Sequence, residues 1–249
     1  MNCPYGGAKQ IMRCFNQMLN SLFERFDSII VLDTETTGLS FRSDEIIELA
    51  AVRATRDRAG YKISDEFDVL ISLSEGVRLS PEITKITGID EQMLREDGVS
   101  KAEACARLSG MLAGERILLA AYNAQFDLCF LYYFLASFGR AELLKNVKML
   151  DVLTVYKDRR EYPHKLSDAI KAFDLKGENS HRALDDTRAT LELLAAMEQE
   201  AADLERYINL FGFNPKYGVS GPRISSVNYQ PQGYRRVCKL YEMTHKKDH

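Results

Sequence analysis

The chain has 249 residues, 45% hydrophobic and 28% charged, which suffices to bury a sizeable core in one large domain or in a domain with appendages. A net charge of −3 excludes a global basic field, though not a local nucleic-acid site whose bound cations carry the positive charge. Five scattered cysteines without a C-x-x-C spacing argue against a disulfide framework or zinc knuckle and for a reducing, cytoplasmic setting.

The amino end carries Lys9 and Arg13, but Asn16 and Asn20 interrupt its apolar residues, so a signal peptide is not expected. No later segment reaches membrane-spanning length, and no membrane partner is expected. Ile11, Met12, Phe15, Met18, Leu19, Leu22, Phe23 and Phe26 recur at three and four, which predicts an amphipathic helix over 9–26. Its expected role is packing against the domain, with contact to a partner as the alternative.

Ile29-Ile30-Val31-Leu32 reads as a strand buried on both faces, and it turns acidic at Asp33 and Glu35 without becoming a loop. Side chains alternate along a strand, so Asp33 and Glu35 project to the same side. Two carboxylates at the end of a buried strand repel each other and resist desolvation unless a cation neutralises them. Hard oxygen donors with no Cys or His between them suit magnesium or manganese better than zinc. Asp-x-Glu alone also fits an ordinary strand end whose acids face water. Thr36-Thr37-Gly38 adds a glycine that permits a tight turn and backbone amides that an anion or nucleotide can approach.

Residues 45–54 predict a second strand and 63–73 a third, joined by a hairpin turn over 56–60, so this half of the sheet is expected to be antiparallel. Ser80-Pro81 starts a short helix closed by Gly88, and 91–95 make a brief turn. Residues 101–113 form a helix with Ala104, Leu108, Met111 and Leu112 inward. A fourth strand over 117–121 precedes an apolar helix over 124–138, closed by Gly139. A fifth strand over 147–150 and helices over 151–156 and 165–173 lead through a loop over 176–180 into a final helix over 183–207. This order predicts an α/β domain.

Beyond Phe211 the composition shifts. Gly212, Pro215, Gly218, Gly221, Pro222, Pro231 and Gly233 leave no helical period, basic residues outnumber acidic ones, and Tyr217, Tyr229, Tyr234 and Tyr241 are interspersed. Such a mixture suits single-stranded nucleic acid. It suits equally a tail docked on its own domain or on a partner.

Two further signals fall where a metal site would need them. Asp127 lies in the first turn of the helix after the fourth strand, a position that the helix dipole favours for any acid. If the fourth strand lies beside the first, Asp127 faces Asp33 and Glu35. His181 and Asp186 are five residues apart, about 140° round a regular helix, and so cannot chelate one ion as an i, i+4 pair does. The spacing fits better with His181 in the preceding loop, Asp186 one turn into the helix and Asp185 toward solvent. Alone, a His before a helix reads as a surface or capping residue.

Together, Asp33-Thr34-Glu35-Thr36-Thr37-Gly38, Tyr122-Asn123-Ala124-Gln125-Phe126-Asp127 and His181-Arg182-Ala183-Leu184-Asp185-Asp186 resemble, in order and interval, the three exonuclease motifs of the DEDDh 3′–5′ exonucleases. That is the family of the epsilon proofreading subunit of bacterial DNA polymerase III, RNase T and oligoribonuclease. The resemblance covers about residues 28–205. It implies an α/β, ribonuclease H-like fold, a five-stranded mixed sheet with the first strand central and helices on both faces. An N-terminal helical extension (1–26) would precede the exonuclease domain (27–210), and a basic, aromatic C-terminal tail (211–249) would follow it.

The same resemblance implies Asp33, Glu35, Asp127 and Asp186 as ligands of two Mg²⁺ or Mn²⁺ ions and His181 as general base. Thr36, Gly38 and Leu39 match positions that contact the terminal nucleotide. Thr87, in Thr87-Gly88-Ile89, matches a segment bordering the substrate, and Asn123 and Phe126 of the second motif are also expected there. Tyr122 departs from the pattern, since many relatives carry His before the Asn; it is not a metal position, and it bears on substrate preference.

Phosphodiester hydrolysis adds hydroxide to an anionic phosphorus and expels an alkoxide. Two divalent ions about 3.5–4 Å apart can serve both ends of that step, and an imidazole with a pKa near 6.5 can accept the proton. The implied activity is stepwise release of nucleoside 5′-monophosphates from a single-stranded 3′ end, with DNA favoured and proofreading as a polymerase subunit in view. RNA 3′-end trimming is one competing reading. A non-catalytic polymerase-associated binding subunit is another, but its signature would be a lost ligand, and all are present. An Asp-x-Asp phosphatase fits neither Glu35 nor His181. No clear Gln-x-x-Leu clamp-binding motif stands in the tail, which weakens a replicase role.

Overall fold

The computed structural model describes residues 18–58, 60–145, 147–176, 182–233 and 238–243. The first half of the expected amino-terminal helix, the loop carrying His181 and parts of the tail lie outside the described residues.

The aliphatic run forms the strand Ser28–Thr36 (β1), and it occupies the centre of a five-stranded sheet. Ile46–Asp57 (β2) pairs with it antiparallel, and Gly60–Leu70 (β3) pairs with β2. On the other side, Ile117–Ala121 (β4) and Lys148–Asp151 (β5) run parallel to β1. The order β3-β2-β1-β4-β5 is the expected mixed sheet. β3 begins earlier than its apolar residues suggest, because the hairpin pairs Asp57 with Gly60 and backbone pairing sets its extent; Ile63 remains 45% exposed.

Within residues 18–26, Asn20–Phe23 (α1) form one short helical turn that does not continue to 26. Leu19, immediately before that turn, sits in the left-handed region at φ 57°. Leu19, Leu22, Phe23 and Phe26 are nevertheless buried against the sheet, and Ser21 donates from both its amide and its hydroxyl to Glu198 at 2.9 Å. Packing on the domain is therefore observed for this portion.

The helices Pro81–Thr87 (α2), Glu91–Glu96 (α3), Lys101–Met111 (α4), Ala124–Ser137 (α5), Val152–Arg159 (α6), Leu166–Ala172 (α7) and Ala183–Glu200 (α8) complete the domain. Alternation along β1 divides the core. Ile29 and Val31 pack with α6, α7 and α8, whereas Ile30 and Leu32 pack with α4 and α5. No helix of the described residues is long and apolar enough to cross a membrane.

α8 stops at Glu200, short of the expected 207. The guanidinium of Arg159, 3% exposed, donates to the carbonyls of Met197 and Ala201 and to the Asp203 carboxylate, so a side chain from α6 satisfies the end of α8. Leu204–Tyr207 then form a separate 3₁₀ turn.

The described tail docks on the domain. Leu210–Phe213 (β6) and Asn228–Pro231 (β7) form a parallel pair, and Leu240–Met243 (α9) make one helical turn that the composition did not reveal. Asp158 gathers these pieces: it accepts hydrogen bonds from Tyr207 Oη (3.0 Å), Gln232 Nε2 (3.0 Å) and Leu240 N (2.6 Å). Asp158→Ala leaves three buried donors without their acceptor and is expected to destabilise the protein by about 3 kcal/mol. Urea denaturation checks this, and an unmoved midpoint would contradict the docking.

Candidate metal centre

The alternation that divides the core also sorts the acids. Asp33 and Glu35 continue the face of Ile29 and Val31, toward α8, while Thr34 continues the face of Ile30 and Leu32, toward α5. Asp186 lies in the first turn of α8 and is buried. Asp33, Glu35 and Asp186 each bring a carboxylate oxygen within 4.8 Å of the others'.

Asp127 reaches the strand from the opposite face. β1 outruns β4, their pairing ending at Val31 and Ala120, so the Thr34 amide has no strand partner on that side. Asp127 Oδ1 takes its place, accepting from Thr34 N (3.0 Å) and Thr34 Oγ1 (2.7 Å). β4 lies beside β1, the condition on which Asp127 was expected to face Asp33 and Glu35; its Oδ1 caps the residue between them, and its charge raises both carboxyls.

Three carboxyls here resist ionisation. Burial, then the charges of Asp127, Glu35 and Asp186, holds the Asp33 carboxyl well above the ordinary value. Burial, then Glu48, Asp186 and Asp127, pushes Glu35 up to about 8, with Arg182 pulling the other way. Burial raises Asp127 to about 7 against the lowering effect of its Thr34 hydrogen bonds. A convergent, oxygen-only donor set that resists ionisation fits a hard divalent cation, and Asp33, Glu35 and Asp186 could hold one.

Sequence reasoning missed Glu48 and Arg182. Glu48 sits opposite Glu35 in the β1–β2 register and is fully buried. Its Oε1 accepts from Arg182 Nε (2.8 Å) and Nη2 (2.7 Å), and its Oε2 accepts from Ala183 N (3.0 Å). This anchors the first turn of α8, and with it Asp186, to the sheet. The available signal was a glutamate inside the aliphatic run Ile46-Ile47-Glu48-Leu49, which demands a buried partner. Arg182→Ala strands that charge and is expected to lower stability by about 3 kcal/mol. Adding Glu48→Gln should restore part of the loss in thermal or chemical denaturation; a further loss would contradict the pairing.

The remaining candidates each have their own surroundings. Thr36 is buried and donates from Oγ1 to Gly38 O at 2.6 Å. Gly38 has no space for a Cβ beside the Asp44 carboxylate, which accepts from Ser40 N (2.8 Å) and Thr37 Oγ1 (3.2 Å). Leu39, in that loop, is 84% exposed. Asn123 adopts φ 68° at the sharp turn from β4 into α5, and Phe126 packs on Phe130 at 4.9 Å. Thr87 is buried, its hydroxyl donating to Ile83 O (3.0 Å) and accepting from Ile89 N (3.1 Å), so it closes α2. Tyr122 donates from Oη to His164 O at 2.9 Å. Asp151, also missed, accepts from Ala124 N at 3.0 Å and so holds the start of α5.

The family model described as an exonuclease (RNase_T) matches residues 30–194, from β1 into α8. The chain belongs to the exonuclease family. This exonuclease-family chain is 32% identical over 179 residues to the PolC-type DNA polymerase III of Caldanaerobacter subterraneus subsp. tengcongensis, covering 70% of the chain and 12% of the relative. The corresponding Bacillus subtilis polymerase is 34% identical over 181 residues, covering 71% and 12%. The chain thus spans about one-eighth of the length of these curated relatives. Among solved structures, E. coli exonuclease I in complex with a dA16 oligonucleotide superposes with a TM-score of 0.65 at 21% identity, over 73% of this chain and 42% of that one. This likeness shows the ribonuclease H-like exonuclease fold.

Proposed function

We propose that this chain is a metal-dependent 3′–5′ exonuclease that releases nucleoside 5′-monophosphates from single-stranded 3′ ends, with DNA as its favoured substrate. The observation that carries the reading is the convergence of Asp33, Glu35 and Asp186 on one face of β1, with the Asp127 charge beside them. Asp33, Glu35, Asp127 and Asp186 are the residues that would hold two Mg²⁺ or Mn²⁺ ions. When bound, such ions supply Lewis-acid stabilisation of the oxygens on phosphorus and make water more acidic.

The chain's own groups do the rest. His181 precedes Arg182, which is anchored on Glu48, so it stands at the entrance to α8 in sequence and is the proposed general base. Leu39, with Thr36, Gly38, Asn123, Phe126 and Thr87, is proposed to seat the terminal nucleotide, Leu39 offering an exposed apolar surface for a base. A proofreading setting beside a DNA polymerase is supported by the PolC-type relatives, and single-stranded DNA by the oligonucleotide bound to the structural neighbour.

The test is side-by-side digestion of matched single-stranded DNA, single-stranded RNA and a mismatched primer–template, with Mg²⁺ or Mn²⁺ and with a chelator. The expected result is a ladder of 3′-shortened DNA with mononucleotide release, slower loss of RNA and no reaction under chelation. Faster digestion of RNA would select the RNA-trimming reading, and intact 3′ ends on all three would overturn the proposal.

A further inference from the structure

The tail beyond the family match touches two parts of the catalytic region at once. Gln125, two residues before Asp127 on α5, is buried, and its amide is fully engaged by the tail. Its Nε2 donates to Ser220 O (2.8 Å) and Pro222 O (2.9 Å), and its Oε1 accepts from Tyr229 Oη (2.6 Å). Tyr229 Oη in turn accepts from Ile224 N at 3.0 Å. These bonds fix the turn at Gly221, whose φ is +76°, against α5. A Cβ at Gly221 would lie 2.9 Å from a ring carbon of Phe41 and 3.2 Å from Cys129 Sγ.

Phe41 belongs to the loop that carries Gly38 and Leu39. Asp44 ties the inner limb of that loop through Ser40 N and Thr37 Oγ1. The outer limb is held by packing: Phe41 stacks on Tyr133 of α5 with centroids 5.4 Å apart at 17°, and Arg42 lies over the same ring. Gly221 approaches the Phe41 ring at Cε1 and Cζ.

We propose that residues 220–231 form a strap that positions the 37–44 loop, and hence Leu39, for binding a single-stranded nucleic-acid end. The inference rests on the exonuclease reading and assigns Gly221, Phe41, Gln125 and Tyr229 positioning roles. The strap sets affinity for the end and leaves the acid cluster untouched.

A double-mutant cycle with Gly221→Ala and Phe41→Ala tests it, read as KM and kcat on a single-stranded DNA oligonucleotide with Mn²⁺. Gly221→Ala should raise KM about tenfold with kcat within about twofold, because the new methyl strains a backbone held at φ +76° and crowds Phe41 and Cys129 Sγ. In the Phe41→Ala background the same change should raise KM clearly less, since the ring is gone while the backbone strain and the Cys129 contact stay. Additive effects, an unchanged KM or an equal fall in kcat would overturn the strap. Tyr229→Phe removes one hydroxyl without crowding and should raise KM a few-fold; no rise would count against the proposal. Lys216→Glu, on the exposed tail, should leave KM unchanged, and a rise matching that of Gly221→Ala would mean direct contact instead. Hydrogen exchange separates failure of the strap from failure of the exonuclease reading. Amides 38–43 should exchange faster in Gly221→Ala even if the wild type proves inert on nucleic acid, and unaltered exchange would overturn the strap.

Discussion

Asp186→Asn is expected to lower 3′-end digestion by at least about a hundredfold while raising the melting temperature of the metal-free protein at pH 8. The two halves share one cause. Asp186 adds negative charge beside Asp33 and Glu35, where it raises both carboxyls and so opposes their ionisation in the folded protein. The neutral amide keeps nearly the same shape and removes the repulsion, but it is a poorer ligand for a hard cation. Activity and stability should therefore move in opposite directions, as expected of a residue kept for chemistry. Digestion assays and thermal scans on the same preparation check both. Wild-type rates, or a melting temperature that falls by several degrees at pH 8, would show that the carboxylate serves the fold instead.

The second large effect is the pH dependence of the metal-free protein. Glu35 rises from an ordinary 4.5 to about 8 on folding, and Asp127 from 3.8 to about 7. Between the ordinary and the folded values, the folded chain binds more protons than the unfolded one. Stability is then fullest below about pH 4 to 5 on account of these groups, and declines as pH rises through their folded values. The melting temperature without metal is expected to fall by about 5 °C or more between pH 5 and pH 8. Millimolar Mn²⁺ should raise it most at pH 8, where the carboxylates are most nearly ionised, and flatten the profile. A metal-free protein more stable at pH 8 than at pH 5 would contradict the raised Glu35 and Asp127.

β1 was legible in the sequence because its alternation encodes both faces of the core and the common direction of Asp33 and Glu35. Asp186 was legible from its place in the first turn of α8. What Asp127 grips was not, since that depends on β4 ending short of the tip of β1, a length relation between distant segments. Glu48 was hidden inside a run that correctly reads as a strand, and its role appears only when α8 docks on β2. The end of α8 is set by Arg159 from α6, and the tail's strands by Asp158, Gln125 and Tyr229, none of which leaves a periodic trace. Long-range side-chain bonds thus account for most of the differences between the expected and observed elements.

The acids on the α8-facing side of β1 are proposed to hold paired divalent cations. Anomalous diffraction from crystals soaked in Mn²⁺ tests it most directly. Two manganese peaks bracketed by Asp33, Glu35 and Asp186 are expected, both lost in Asp186→Asn; wild-type crystals with no manganese between these carboxylates would overturn the metal centre.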